Sequence, residues 1–244
     1  FIGILLARTV SGFVGENLGW RAMYWIASGL MLLLAGVMAK VLPRSQPELN
    51  TSYAGLMRSL VHLITTEPRL QRASLIGAMT FGAFSAFWST LAFFLEQPPY
   101  QYGSDVVGLF GLVGVAGAAI APISGKLADD RSPRFAVGIG LMTTIFSFVV
   151  FWIFGYYLWG LVVGVVVMDL GVQATQIANQ TSIYQLPTDI HSRLNAVYIM
   201  FYFVGGALGS FLGAIAWSHF GWYGVCGLSL GLLAIALADY TGRL

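Results

Sequence analysis

Charge is what this sequence has least of. Only 9% of its 244 residues are Asp, Glu, Lys or Arg, where a soluble domain devotes roughly a quarter to them. Such a chain cannot coat a globular surface in water. It has one cysteine, Cys226, which excludes an internal disulfide and leaves no thiol cluster for redox chemistry. No Gly-x-x-x-x-Gly-Lys loop occurs, so nothing in the chain points to nucleotide as a driving force. His62, His191 and His219 are isolated in loops or at helix ends. An intramembrane enzyme would need paired metal ligands or a nucleophile with its base, and these are missing. Neither metal nor cofactor is expected. The net charge of +2 gives no reason to expect nucleic acid as a partner.

What is present is apolar and continuous. Hydrophobic residues make up 57% of the chain. Stretches 73–95, 106–125 and 135–168 carry no charge, and in 194–238 only His219, Cys226 and tyrosines titrate. These runs reach the ~18 residues that mark a membrane-spanning helix. The short alternating segments of a membrane barrel are absent. The expected class is an all-α, polytopic helical bundle embedded in a bilayer. A half helix at 1–15 should precede spans near 22–41, 73–95, 105–125, 135–154, 157–178, 195–217 and 221–238, with a turn at Gly155-Tyr156-Tyr157. The sequence opens inside an apolar helix without an initiator Met, and is expected to be a fragment lacking earlier spans.

Cations sort by alternate loops. Lys40, Arg44, Arg58, Arg69 and Arg72 surround one, Lys126, Arg131 and Arg134 fill another, and Arg193 and Arg243 follow. Loops around 96–104, 155–157 and 218–221 hold no Lys or Arg. The positive-inside rule makes the basic loops cytoplasmic. Arg21, beside Glu16, and Arg8, within a span, are the exceptions. The segment "SYAGLMRSLVHLI" sets Tyr53, Leu56, Met57, Leu60 and Leu63 at helical spacing, the pattern of an amphipathic helix lying on the membrane surface.

A distant repeat also emerges. Residues 3–30 align without gaps on 205–232, with Gly3/Gly205, Gly19/Gly221, Trp20/Trp222, Gly29/Gly231 and Leu30/Leu232 identical. Both copies read as helix, Gly-Trp turn, helix, with the turn on the outer side. Six spans would separate them, as in a protein of two parallel six-helix halves. On that basis 1–42 is the end of the first half, 43–71 a central cytoplasmic loop, and 72–244 the second half.

Three stretches carry a family resemblance. "GKLADDRSPR", from Gly125 to Arg134, resembles the cytoplasmic loop signature of the major facilitator superfamily in its second-half copy. "ARTVSGFVG…GWR" stands where that family's antiporter signature falls, with Ala7-Arg8 in place of Gly-Pro and Ser11 in place of a Gly. "GVQATQIANQTSIYQL…SRLNAVYIMFYFVGGALGS" looks like the efflux branch that includes drug:proton antiporters. The resemblance implies a multi-pass transporter of the inner (cell) membrane, acting as a monomer on a small-molecule substrate and on protons. It also implies that the helix bearing Phe84, Phe87 and Trp88 lines a central cavity.

The residues themselves support site readings, each with a plainer alternative. In the basic loop that starts at Gly125, Asp129 or Asp130 can cap an adjacent helix start, and either can pair with Arg131 or Arg134, holding one conformation as a gate; a solvated turn would look the same. Glycines recur at 108, 111, 114 and 117 and at 205, 209 and 213, which suits close helix packing or a sliding interface. Asp169, Gln173, Gln176 and Gln180 form one helical stripe, with Asn179 beside it. A carboxylate at bilayer depth costs about 2.5–3.5 kcal/mol, so the stripe should face a wet cavity or serve as a polar clamp between helices. Arg8 is the other charge at depth and a candidate partner for Asp169.

These readings favour a secondary transporter, a proton-coupled exporter of small organic molecules. A sugar or amino-acid carrier would use the same amides. A non-transporting membrane sensor is the alternative of another class.

Overall fold

The computed structural model describes residues 10–11, 13–15, 18–42, 52–103, 106, 109–111, 113 and 132–242. Among them every regular element is helical. Helix α1 spans Trp20–Val41, α2 Tyr53–Thr66, α3 Pro68–Glu96, α4 Pro133–Phe154 and α5 Leu158–Ile183. A short 3₁₀ turn at Thr188–Ile190 leads into α6, His191–Tyr240. Five of these helices, all but α2, are long and apolar enough to cross a membrane.

α6 is two spans. Fifty residues at about 1.5 Å each would reach far beyond a ~30 Å hydrocarbon layer. The helix breaks at Gly221, whose φ of 59° and ψ of −147° are not helical. Gly82 of α3 shows that the arms fold back. A Cβ placed there would lie 3.0 Å from the Gly205 carbonyl and 3.4 Å from Leu232, residues of opposite arms. Gly19, ahead of α1, also has a positive φ, 80°. The two Gly-Trp turns aligned by the repeat therefore share the left-handed glycine that only a residue without Cβ adopts cheaply.

Several helix boundaries have a local cause. Glu67 is extended (φ −104°, ψ 95°) and precedes Pro68 at the start of α3, because the proline ring excludes the helical conformation from the residue before it. That break separates α2 from α3, so the helix begins within the expected 43–71 loop. Ser52 caps α2 by accepting from Gly55 N. Ser132 caps α4, its Oγ accepting from Phe135 N at 3.2 Å, with Pro133 at the first helical position. Asp129 and Asp130, expected to cap an adjacent helix start, lie outside the described residues, as does most of the expected 105–125 span. The turn after α4 falls at Gly155–Tyr157, as expected.

Two seams of small residues set the packing. Along α3, Ala78, Gly82 and Ala86 face Gly205, Gly209 and Gly213 of α6. A Cβ on Gly205 or Gly209 would run into the carbonyl of Ala78 or Gly82, and one on Gly213 would lie 2.9 Å from Ala86 Cα. The second seam, between α4 and α5, is reciprocal. A Cβ on Gly140 would meet Thr175 N at 2.7 Å, and one on Gly171 would meet Thr144 N at 2.6 Å. Thr144 and Thr175 turn their hydroxyls onto the carbonyls of Gly140 and Gly171. Without a hydrophobic drive in lipid, such close backbone contact is what holds helices together.

Toward the end marked by Gly155 and Gly221 the core is aromatic. Phe94 stacks on Trp222 at 4.0 Å and Phe87 on Phe151 at 4.5 Å. Trp222, 2% exposed, donates its indole N–H to the Phe151 carbonyl at 3.0 Å. Tyr100, in the loop after α3, donates its hydroxyl to the Gly155 carbonyl at 2.8 Å. Burial, then neighbouring Tyr102, pushes that phenol up to about 12. At the end that carries Arg69 and Arg72, Leu63 of α2 is buried in a smaller cluster with Leu70, Ile183, Leu194 and Tyr198. α2 thus packs on the bundle through one edge, while Tyr53 and Val61 remain exposed. By contrast, α1 buries none of its residues. A helix apolar on all sides belongs in lipid or against other helices.

Candidate functional site

α5 has two faces. Gly164, Gly171 and Thr175 close against α4. On the opposite side the polar stripe turns toward α3 and the first arm of α6. Asp169 is buried, at 7% exposure, and Gln173, Gln176 and Gln180 are half-buried. Buried Asn179 leaves the stripe to reach α3, where its Nδ2 donates to the Ala73 carbonyl at 3.3 Å.

Opposite this stripe stands a file of rings. Phe81 lies parallel to Phe84 at 5.6 Å, and Phe84 lies 6.1 Å from Trp88. All three are half-buried on one face of α3, with Ser85 between them. Phe87 is placed differently: it is fully buried in the aromatic core between Phe151, Phe148 and Trp222. It touches Trp88 edge-on at 5.5 Å and supports the file from behind. Of the three aromatic residues singled out in the sequence, Phe84 and Trp88 lie on the open face and Phe87 does not.

Tyr202 of α6 joins amides to rings. Its ring stacks on Phe81 at 4.0 Å and 18°, and its hydroxyl donates to Gln176 Oε1 at 3.3 Å. Gly206, one turn on, makes room for Phe81: a Cβ there would sit 2.5 Å from the ring and 3.0 Å from Ser85 Oγ. Tyr198, one turn earlier, packs against Gly77 and lies beside Asn179 without reaching hydrogen-bond geometry. Gln173 Oε1 and Asn195 Oδ1 are buried acceptors with no hydrogen-bond partner among the described residues. An arrangement of stacked rings beside amide groups with spare hydrogen-bonding capacity can hold a small solute that is apolar on one face and polar at its edges.

The expected gate is only partly described. Gly125, Asp129, Asp130 and Arg131 lie outside the described residues, and so does Arg8, the candidate partner of Asp169. Arg134 is described. Its Nη2 donates to the Tyr240 carbonyl at 3.3 Å and its guanidinium lies 5.6 Å from the Tyr240 ring centre. It ties the start of α4 to the end of α6.

Sequence reasoning missed Phe81, Tyr198, Tyr202 and Asn195. A signal existed: Asn195, Tyr198, Tyr202 and Gly206 follow i, i+3, i+7, i+11, which also places them along one helical face, as i, i+4, i+7, i+11 does for the stripe on α5.

With this geometry in view, comparison with known proteins identifies the lineage. The family model described as Major Facilitator Superfamily matches residues 1–188. The chain belongs to the major facilitator superfamily. Over 225 residues, 92% of this chain and 57% of the relative, it is 40% identical to a putative uncharacterized transporter, YgaY, of Escherichia coli K12. It is 33% identical over 231 residues, 94% of this chain and 53% of the relative, to a probable transporter of Streptomyces coelicolor, SCO4007. A probable sugar efflux transporter of Helicobacter pylori G27 is 26% identical over 240 residues, 96% of this chain and 59% of that protein. The chain thus spans between half and three-fifths of the length of these relatives. Members of this superfamily are multi-pass membrane transporters and not enzymes, in keeping with the helical bundle described above.

Proposed function

We propose that the complete protein is a secondary transporter that exports a small organic solute in exchange for protons, and that a sugar is the class of solute its site suits best. The carrying observation is Tyr202, which stacks on Phe81 and hydrogen-bonds Gln176. A sugar offers C–H faces for rings and hydroxyl edges for amides, and that pairing favours it over a substrate with two opposite charges. The Helicobacter relative named as a probable sugar efflux transporter lends support from outside the chain. In this reading residues 72–244 form the second half of the carrier, and 1–42 close the first. Phe81, Phe84, Trp88 and Tyr202 supply the stacking surface. Gln173, Gln176 and Gln180 supply hydrogen bonds, and Asp169 takes up and releases the coupling proton.

The test is uptake of radiolabelled sugars by the complete protein in liposomes with an acidic interior. Protons leaving down their gradient should draw sugar inward, and equalising the pH should stop it. Uptake that ignores the gradient would remove proton exchange. No uptake of any sugar, alongside gradient-driven uptake of another organic solute, would remove the sugar assignment alone.

A further inference from the structure

At the cytoplasmic end of the bundle lies a cavity of about 410 Å³, which none of Phe81, Phe84, Trp88 and Tyr202 lines. It opens where the first turns of α3 and α4 meet the end of α5 and Tyr240 of α6. Arg69 and Arg72 of α3 and Arg134 of α4 line it, with Ser132, Ser182 and Gln185 among them. The positive-inside rule explains arginines on this side of the membrane. It does not explain why three converge on one concavity together with hydroxyl and amide groups.

Among the described residues that line this cavity, three are cations and none is an acid. A helix start carries about half a positive charge, and arginine there is disfavoured unless an anion answers it. Neither α3 nor α4 has an acidic residue in its first turn, and Glu67, preceding α3, makes no side-chain capping bond. Arg134 spends one donor on the Tyr240 carbonyl, and Arg72 acts on the buried carboxylate of Asp239. Arg69 makes no side-chain hydrogen bond or ion pair among the described residues. Guanidinium forks match phosphate oxygens two at a time. Ser132 accepts from Phe135 N and keeps its own O–H to donate.

We propose that this cavity binds a phosphate group from the cytoplasmic side. A soluble phosphate ion and the headgroup of an anionic phospholipid offer the same chemistry. A bound phosphate would join the starts of α3 and α4 to the end of α6.

The experiment uses the complete protein in nanodiscs, following thermal unfolding, because a ligand of the folded state raises the midpoint. One arm titrates inorganic phosphate into phosphatidylcholine discs against chloride of matched ionic strength. The other replaces part of the phosphatidylcholine with phosphatidylglycerol and adds no phosphate. A rise in the first arm assigns a soluble phosphate, and a rise in the second alone assigns the lipid headgroup. In either case Arg69→Gln with Arg72→Gln should weaken the response about tenfold or more in ligand concentration. Should that pair fold poorly, Arg69→Lys with Arg72→Lys keeps the charge but loses the forks, and should respond more weakly than the parent. No rise in either arm overturns the proposal. So does a rise that the arginine variants leave unchanged. If phosphate stabilises only after Asp129→Asn and Asp130→Asn, the chain's own carboxylates fill the cavity and the proposal also fails.

Discussion

Tyr202 donates its hydroxyl to Gln176 Oε1 across 3.3 Å, from a helix separated from α5 in sequence by the 3₁₀ turn. This one bond links the amide stripe of α5 to the ring file of α3, because the same tyrosine stacks on Phe81. Tyr202→Phe keeps the stack and removes the bond. A neutral hydrogen bond contributes about 0.5–1.5 kcal/mol, so substrate KM should rise roughly two- to tenfold while protein level stays near the parent's. Tyr202→Ala removes both contacts and should cost more. Transport kinetics in proteoliposomes check this, and an unchanged KM in Tyr202→Phe would take Tyr202 out of the site.

The small-residue seams make a stability prediction. A methyl on Gly209 has no room, since it meets the Gly82 carbonyl, whereas one on Gly231 meets nothing within 4 Å. Overpacking a close contact costs about 1–3 kcal/mol. Gly209→Ala should therefore lower the unfolding midpoint in detergent, and Gly231→Ala should leave it nearly unchanged. Equal midpoints would mean that α3 and α6 do not meet along this seam.

The spans were legible because the bilayer enforces them: length and missing charge set α3, α4 and α5 to within a few residues at most ends. The Gly-Trp turns were legible too, since residues 3–30 and 205–232 align without gaps and set Gly19-Trp20 on Gly221-Trp222. Which way a ring points was not. In a helix that is apolar on every side, Phe84 and Phe87 look alike, and only packing sends Phe87 to Phe151 and leaves Phe84 open. Periodicity separates faces only where one face is polar. The α5 stripe met that condition. Tyr202, whose ring is apolar and whose hydroxyl is not, blurred it on α6.

Orientation can be read chemically. Gln101, beyond α3, and Ser218, before Gly221, stand in stretches without Lys or Arg, and Ser132 stands among the arginines. The one native thiol, Cys226, is buried and should stay silent. Single cysteines at 101 and 218 should react with an impermeant maleimide added outside intact cells, and one at 132 only after lysis. Reaction at 132 but not at 101 in intact cells would invert the topology.

Asp169 carries the sharpest prediction. It is buried at 7% exposure, on the same helical row as Gln173 and Gln176. A carboxylate at that depth costs several kcal/mol less when it is neutral, which suits a group that accepts a proton from one side and releases it to the other. Asp169→Asn keeps the size and the hydrogen-bonding capacity but cannot titrate. Folding should survive, and exchange of labelled for unlabelled substrate across the membrane, which needs no net proton movement, should continue. Accumulation against a gradient should fall to the level seen without a pH difference. Arg8, the other charge placed at depth by the sequence, gives a second handle. If it pairs with Asp169, Arg8→Ala should lower protein level by stranding a buried charge, and adding Asp169→Asn should restore that level without restoring accumulation. Gradient-driven accumulation at the parent's level in Asp169→Asn would leave Asp169 as a polar clamp between helices and move the proton site elsewhere.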